Sequence, residues 1–79
     1  MSYASNALTE RQQTILRFVR GFIEENGFSP TIREITDGCG MRTTSVTSYN
    51  LDRLAEMGLL TRQPDKARSI VLAKEGATA

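Results

Sequence analysis

Within seven residues, Thr43, Thr44, Ser45, Ser48 and Tyr49 set out four aliphatic hydroxyls and a phenol, and Arg42 stands directly before them. Further along, Arg62, Lys66 and Arg68 fall close together. Hydroxyls donate and accept hydrogen bonds without ionising near neutral pH, while arginine and lysine hold anions. The chain has no histidine, which removes Ser-His-Asp and Cys-His arrangements and any credible transition-metal site. Its one cysteine, Cys39, has no partner for an internal disulfide and reads as a small apolar residue. What remains is non-covalent recognition of hydrogen-bonding groups and anions, with no cofactor, metal or small-molecule substrate implied.

Something must hold those groups in a fixed array. At 100° per residue, Thr43 to Met57 forms an amphipathic helix with Val46, Leu51, Leu54 and Met57 on one side. Ser45, Ser48, Tyr49, Asp52 and Glu56 occupy the other. Thr43 is the preferred N-cap, and Gly40 and Gly58 fence the segment. Its outward face is poor in the lysine and glutamate that usually fill a solvated surface.

Two helices must precede it. Thr9 followed by Gln12 is a capping box, and Ile15, Leu16, Phe18, Val19, Phe22 and Ile23 then form a broad apolar stripe that Asn26-Gly27 closes. Phe18, Phe22 and Phe28 read as core rather than as a stacking platform. Pro30 bars the helical conformation from Ser29, so a second helix starts afresh at Thr31, with Glu34 completing another capping box. Ile32, Ile35 and Cys39 give it a narrow apolar seam about two turns long. Gly38-Cys39-Gly40-Met41 is a tight reversal between helices.

Beyond Gly58, Leu59 to Gln63 and Ser69 to Leu72 read as two short strands joined by Pro64-Asp65-Lys66-Ala67. An isolated hairpin is marginal in water, so Leu60, Ile70 and Leu72 are expected to pack it on the helices. Residues 1–7 are expected to be a disordered start and 73–79 a tail or truncated linker, leaving one domain over 8–72.

With 79 residues, 39% hydrophobic and 24% charged, the chain has room for one compact domain. Such a domain buries only roughly 60% of the surface its unfolded form exposes. No apolar run approaches the ~20 residues of a membrane span, and no secretory signal is visible, so a cytoplasmic location is expected. The formal charge is +1, yet from Arg42 to Lys74 there are six cations and three acids, a local net of +3.

The fold class is therefore mostly α with a small β-hairpin: a winged helix-turn-helix. A helix fits the major groove of B-DNA, first-turn hydroxyls and amides meet phosphate, and a basic hairpin reaches the backbone beside it. Arg42, Thr43 and Thr44 are the expected phosphate contacts at the start of the third helix, and Ser45, Ser48 and Tyr49 the groups facing base edges. Arg62, Lys66 and Arg68 would give two or three further phosphate contacts from the wing. Arg33 is open between a phosphate contact and an ordinary exposed cation, and Tyr49 between the groove and packing on the wing. Fold alone does not establish function, and the alternatives are a winged helix serving as a protein-interaction module and a free-standing phage or mobile-element regulator.

Leu8-Thr9-Glu10-Arg11-Gln12 with Ile15-Leu16, Gly27-Phe28-Ser29-Pro30-Thr31-Ile32-Arg33-Glu34-Ile35, Ser45-Val46 with Leu51, Arg53-Leu54, Gly58-Leu59-Leu60 and Arg68-Ser69-Ile70 resemble, in order and spacing, the N-terminal DNA-binding domain of the LexA repressor family. The segment from Gly27 to Ile35 is the specific part. The resemblance implies a transcriptional repressor of DNA-damage (SOS) genes acting on a two-fold symmetric double-stranded operator. It also implies that Thr43, Ser45, Val46, Ser48 and Tyr49 occupy the DNA-contacting positions, and that a bound molecule is associated with the bacterial nucleoid. Full-length family members carry a further domain that dimerises and cuts its own chain with a Ser/Lys pair. Nothing here matches it, so the polypeptide itself is expected to be no enzyme, and a homodimer only if such a domain exists.

Overall fold

In the computed structural model, which describes residues 8–63 and 65–73, three helices precede a two-stranded hairpin: α1 (Glu10–Asn26), α2 (Ile32–Gly38), α3 (Thr44–Glu56), β1 (Leu60–Thr61) and β2 (Val71–Leu72). The expected disordered start, the tail beyond Ala73 and Pro64 of the turn lie outside the described residues. This is the order and shape of a winged helix-turn-helix.

The helix starts follow the local chemistry of the sequence. Thr9 Oγ1 accepts the Gln12 N–H at 3.1 Å while Gln12 Oε1 accepts the Thr9 N–H at 3.2 Å. Thr31 and Glu34 repeat the exchange at 3.1 and 2.9 Å. Thr43 caps α3 by accepting the Val46 N–H at 3.3 Å. In each case a side chain satisfies an amide that the helix leaves without a partner.

Both ends of the helix-turn-helix segment close in the same way. After α2, Gly40 takes φ 69°, its N–H donates to Asp37 O and the Met41 N–H donates to Thr36 O. After α3, Gly58 takes φ 80°, its N–H donates to Ala55 O and the Leu59 N–H to Leu54 O. These are Schellman closures, which need the left-handed conformation that glycine adopts without a Cβ penalty. Gly38 has another reason to be glycine: a Cβ there would collide with the Phe18 ring. The last turn of α2 thus lies directly on α1.

Ile15 and Val19 of α1, Ile35 of α2, Leu51 and Leu54 of α3, and Leu60 and Ile70 of the hairpin form one buried core. Leu16, Phe18, Ile23, Ile32, Cys39, Leu59 and Leu72 pack around it half-buried. Burial raises the Cys39 thiol pKa above its ordinary value, keeping it an inert apolar group. Val46 and Met57, expected on the buried side, are only half-buried because they lie at its margins.

Two polar contacts run through this core. Thr36 Oγ1 donates to Ile32 O at 2.7 Å and lies 2.7 Å from Thr47 Oγ1. A hydroxyl has one proton, so with that of Thr36 directed to its own helix, Thr47 is the donor between the two side chains. Gln12 Nε2 donates to Asn50 Oδ1 at 3.3 Å, and Asn50 Nδ2 donates to Val46 O at 2.8 Å. Thr36, Thr47, Gln12 and Asn50 are all buried, and together they tie α3 to α2 and to α1.

The wing is shorter than expected, because only Leu60–Leu72 and Thr61–Val71 pair, antiparallel. Gln63 and Ser69 are joined instead through the Ser69 hydroxyl, which accepts the Gln63 N–H at 2.9 Å and lies 3.0 Å from Gln63 O and Lys66 O. Docking replaces strand length. Ser29 Oγ accepts the Ile70 N–H at 3.3 Å. Arg68 Nη1 and Nη2 donate to Glu34 Oε1 and Oε2, each at 3.0 Å, and Nη1 also donates to Ser29 O at 3.0 Å.

The Arg68 guanidinium carbon lies 4.7 Å from the centre of the Phe28 ring. Phe28 in turn meets Phe22 at 5.8 Å, and Phe22 meets Phe18 at 5.9 Å. Phe28, expected in the core, is 49% exposed and supports this cation from outside. Holding Arg68 at φ 54° is unfavourable for a residue with a side chain, and the bidentate pair offsets that cost.

Two outcomes follow for stability. Removing one hydroxyl of the buried pair, by Thr36→Val or Thr47→Val, is expected to destabilise the domain by ~1–2 kcal/mol, whereas the double variant loses less than the sum because no buried hydroxyl is left alone. Urea unfolding of the four proteins measures this; strict additivity would mean that the hydroxyls do not interact. The Glu34 carboxyl is held below its ordinary value of 4.5, first by hydrogen bonds from Arg68 and then by the Thr31 amide. A carboxyl depressed on folding stabilises the fold above its unfolded pKa, and that contribution is lost as pH falls through the folded value. Glu34→Gln should therefore flatten the loss of thermal stability below about pH 4.5; a melting profile parallel to that of the parent would refute the assignment.

Candidate nucleic-acid interface

The outward side of α3 is built from its first two turns. Thr43, Thr44, Ser45 and Tyr49 are exposed, with Tyr49 at 63%, and Ser48 is half-buried beneath the wing. Thr43 satisfies the Val46 amide, and Thr43 O accepts the Thr47 N–H at 3.4 Å. The amides of Thr44 and Ser45 precede the first intrahelical bond and point out of the N-terminus, where the helix dipole favours an anion. Arg42 is exposed beside them, so a cation, two amides and three hydroxyls converge at this end of the helix. Tyr49 does not pack on the wing: it lines the groove between α3 and the start of α1.

That groove is bordered by Arg11, Arg42, Val46, Tyr49 and Arg53. Arg11 was not among the residues expected from sequence. Its position depends on the start of α1 lying against the start of α3, and no local pattern encodes that. A second groove, between the wing and the start of α2, is lined by Arg33, Arg62, Lys66 and Arg68 with Asp65. Arg33, left open above, belongs with the wing cations.

The acids on α3 are paired. Arg53 Nη1 donates to Glu56 Oε1 at 3.1 Å, an exposed pair of small energetic value. Arg62 Nε and Nη2 both donate to Asp52 Oδ1, at 3.3 and 3.1 Å, and Nη2 also donates to Ser48 Oγ at 2.9 Å. Neither Asp52 nor Glu56 presents an uncompensated charge on the recognition side.

The three wing cations expected to reach outward have different surroundings. Arg62 is turned inward with its side chain only 9% exposed, held by α3. Arg68 is folded back onto Glu34, Ser29 and Phe28. Both departures arise because an acid on another element lies within reach, 10 and 34 residues away in sequence. Lys66 is exposed at the turn, and among the described residues the ion pairs involve neither it nor Arg33 nor Arg42. No described cluster of acids and cysteine has the makings of a metal site, and no described helix is long and apolar enough to cross a membrane.

Comparison with known proteins adds an independent line. The LexA DNA binding domain model matches residues 5–69. The LexA repressor of Mycobacteroides abscessus is 42% identical over 67 residues, which cover 85% of this chain and 30% of that protein. A LexA repressor from an Anaeromyxobacter species is 44% identical over 66 residues, covering 84% and 29% respectively. That of Mycolicibacterium smegmatis is 42% identical over 65 residues, covering 82% and 27%. The chain thus spans less than a third of the length of these relatives. A domain model that takes in all three helices and the first strand of the hairpin, on a fold of the matching shape, places the protein: the chain belongs to the LexA DNA-binding domain family.

Proposed function

We propose that the chain is the operator-reading module of a LexA-like transcriptional repressor, binding double-stranded DNA with α3 in the major groove. The observation that carries this reading is the start of α3. Thr43, Thr44, Ser45 and Tyr49 are exposed there beside Arg42, with two amides directed outward and no unpaired acid on the helix. Thr43, Thr44 and Arg42 meet the phosphate backbone, while Ser45, Ser48, Val46 and Tyr49 face bases, the half-buried Val46 offering a small apolar contact to a thymine methyl. Lys66 and Arg33 reach the adjacent strand of backbone from the second groove. Arg62 supports the surface from within by holding α3, while Arg68, exposed at the second groove, fastens the wing to the start of α2.

The relatives' name supports repression as the biological role, and a DNA-damage regulon in the bacterial cytoplasm is the setting the family resemblance implies. One copy of this domain presents one recognition helix. Two copies on a two-fold operator would gain from the effective concentration of the second half-site, provided that something joins them. Any chain-cutting activity would belong to regions of the relatives outside this match.

Binding measured against salt tests the reading. With three to four phosphate contacts, log affinity should fall against log salt with a slope near −3, about −0.9 per contact. A flat response would instead favour docking to a protein. Lys66→Ala should weaken binding to all sequences alike and make the slope shallower by about one. Tyr49→Ala should act differently, changing which sequences are selected from a randomised duplex pool while leaving the slope unaltered. If Tyr49→Ala selects the parental sequences, the outward face of α3 is not the reading surface.

A further inference from the structure

We propose that Arg62 is a positioning residue which fixes Ser48 as a hydrogen-bond donor toward the major groove, so that the base edge beneath Ser48 is selected for an acceptor. The proposal rests on the DNA-binding reading and names a specificity determinant within it. Arg62 lies just after β1 yet spends three N–H contacts on α3, two to Asp52 and one to Ser48. Its side chain is nine-tenths buried in doing so. A guanidinium donates and never accepts, so the bond at 2.9 Å must fall on a lone pair of Ser48 Oγ.

The hydroxyl proton of Ser48 then has to go elsewhere. Elsewhere in the molecule, Thr14 and Thr36 direct their hydroxyl protons back to the carbonyl four residues earlier, at 2.9 and 2.7 Å. Ser48 makes no such bond: among the described residues its hydroxyl is joined to Arg62 alone. Its proton is left for an external acceptor. In the major groove the acceptors are purine N7, guanine O6 and thymine O4, and the cytosine and adenine amino groups are donors. A serine by itself pairs with either kind; a serine with one of its two lone pairs taken by a cation, and its proton free, is biased toward acceptors.

The same guanidinium decides what Asp52 does. Asp52 lies one turn beyond Ser48 and is 60% exposed on its side chain. Without Arg62 it would present a bare carboxylate, which repels phosphate and accepts from the cytosine amino group. Arg62 therefore acts twice on the same patch, by silencing an acceptor and by orienting a donor.

Selection from a randomised duplex pool, combined with salt titration, tests this on the parent chain and the variants Ser48→Ala, Arg62→Gln and Asp52→Asn. At one base position the parent should disfavour cytosine by about fivefold, the worth of one hydrogen bond. Ser48→Ala, which keeps the Arg62–Asp52 pair, should abolish that preference. Arg62→Gln should abolish it too and raise cytosine at or beside that position, with a change in salt slope well short of a full phosphate contact, whereas Asp52→Asn should preserve the preference. If Arg62→Gln instead makes the slope shallower by about 0.9 and leaves base preference intact, Arg62 is a phosphate contact and the proposal fails. Retention of the parental preference by Ser48→Ala would also overturn it, whatever becomes of the Arg62 variant.

The arrangement has a readout without DNA. In the free chain the Arg62 Nε–H resonance should be protected from solvent exchange and should move in Asp52→Asn; free exchange would overturn the proposed geometry itself. A protected resonance in a chain that selects no DNA sequence would show that the operator-reading function is what fails, and the specificity role falls with it.

Discussion

The rotation of α3 about its own axis is the setting on which the rest of the surface depends. Each residue advances an α-helix by 100°, so an error of that size in the rotation would carry Ser45 and Tyr49 off the outward face. Apolar contacts alone fix such a rotation loosely, since leucine side chains accept a range of neighbours. The Thr36–Thr47 and Gln12–Asn50 bonds do not: each has one partner, one direction and a buried location where breaking it leaves a polar group without water. Gln12 also belongs to the capping box of α1, so one side chain starts that helix and orients another.

The wing follows a different economy. Two residue pairs make too little sheet to stand alone, and the hairpin holds its place through contacts to the helical layer. Leu60 and Ile70 enter the core, Ser29 takes an amide from Ile70, and Arg68 grips Glu34. Glu34 serves the capping box of α2 with the same carboxylate, joining the start of that helix to the wing. Arg62 completes the attachment on the other side. Cations that look from their spacing like an anion-seeking hairpin are, in two cases of three, fasteners between elements.

That difference shows what kind of information the chain carries locally. The capping residues Thr9, Thr31 and Thr43, the stops at Gly27, Gly40 and Gly58, and the apolar stripes could be read directly, because each acts within about four residues of its own position. At 100° per residue Thr47 and Asn50 fall within the sector of Val46, Leu51, Leu54 and Met57, so their inward position follows from the helix, but the partners that await them, Thr36 and Gln12, do not. The fates of Arg62, Arg68 and Arg11 depend on neighbours brought close only by the packing of separate elements. The phenol of Tyr49 and the hydroxyls of the first turn of α3 were legible as a candidate surface because their outward position follows from the helix alone.

The missing side chain at position 38 extends beyond local crowding. The Phe18 ring fills that space, and from it a line of contacts passes through Phe22 and Phe28 to Arg68, across to Glu34, and along α2 back to Gly38. The line closes on itself. Such a loop acts as a hoop around the side of the domain, binding the tight reversal before α3 and the root of the wing to one aromatic strut. Span and pitch between α3 and its wing are accordingly set by the girth of three phenylalanine rings, a dimension that the outward face of α3 does not itself contain.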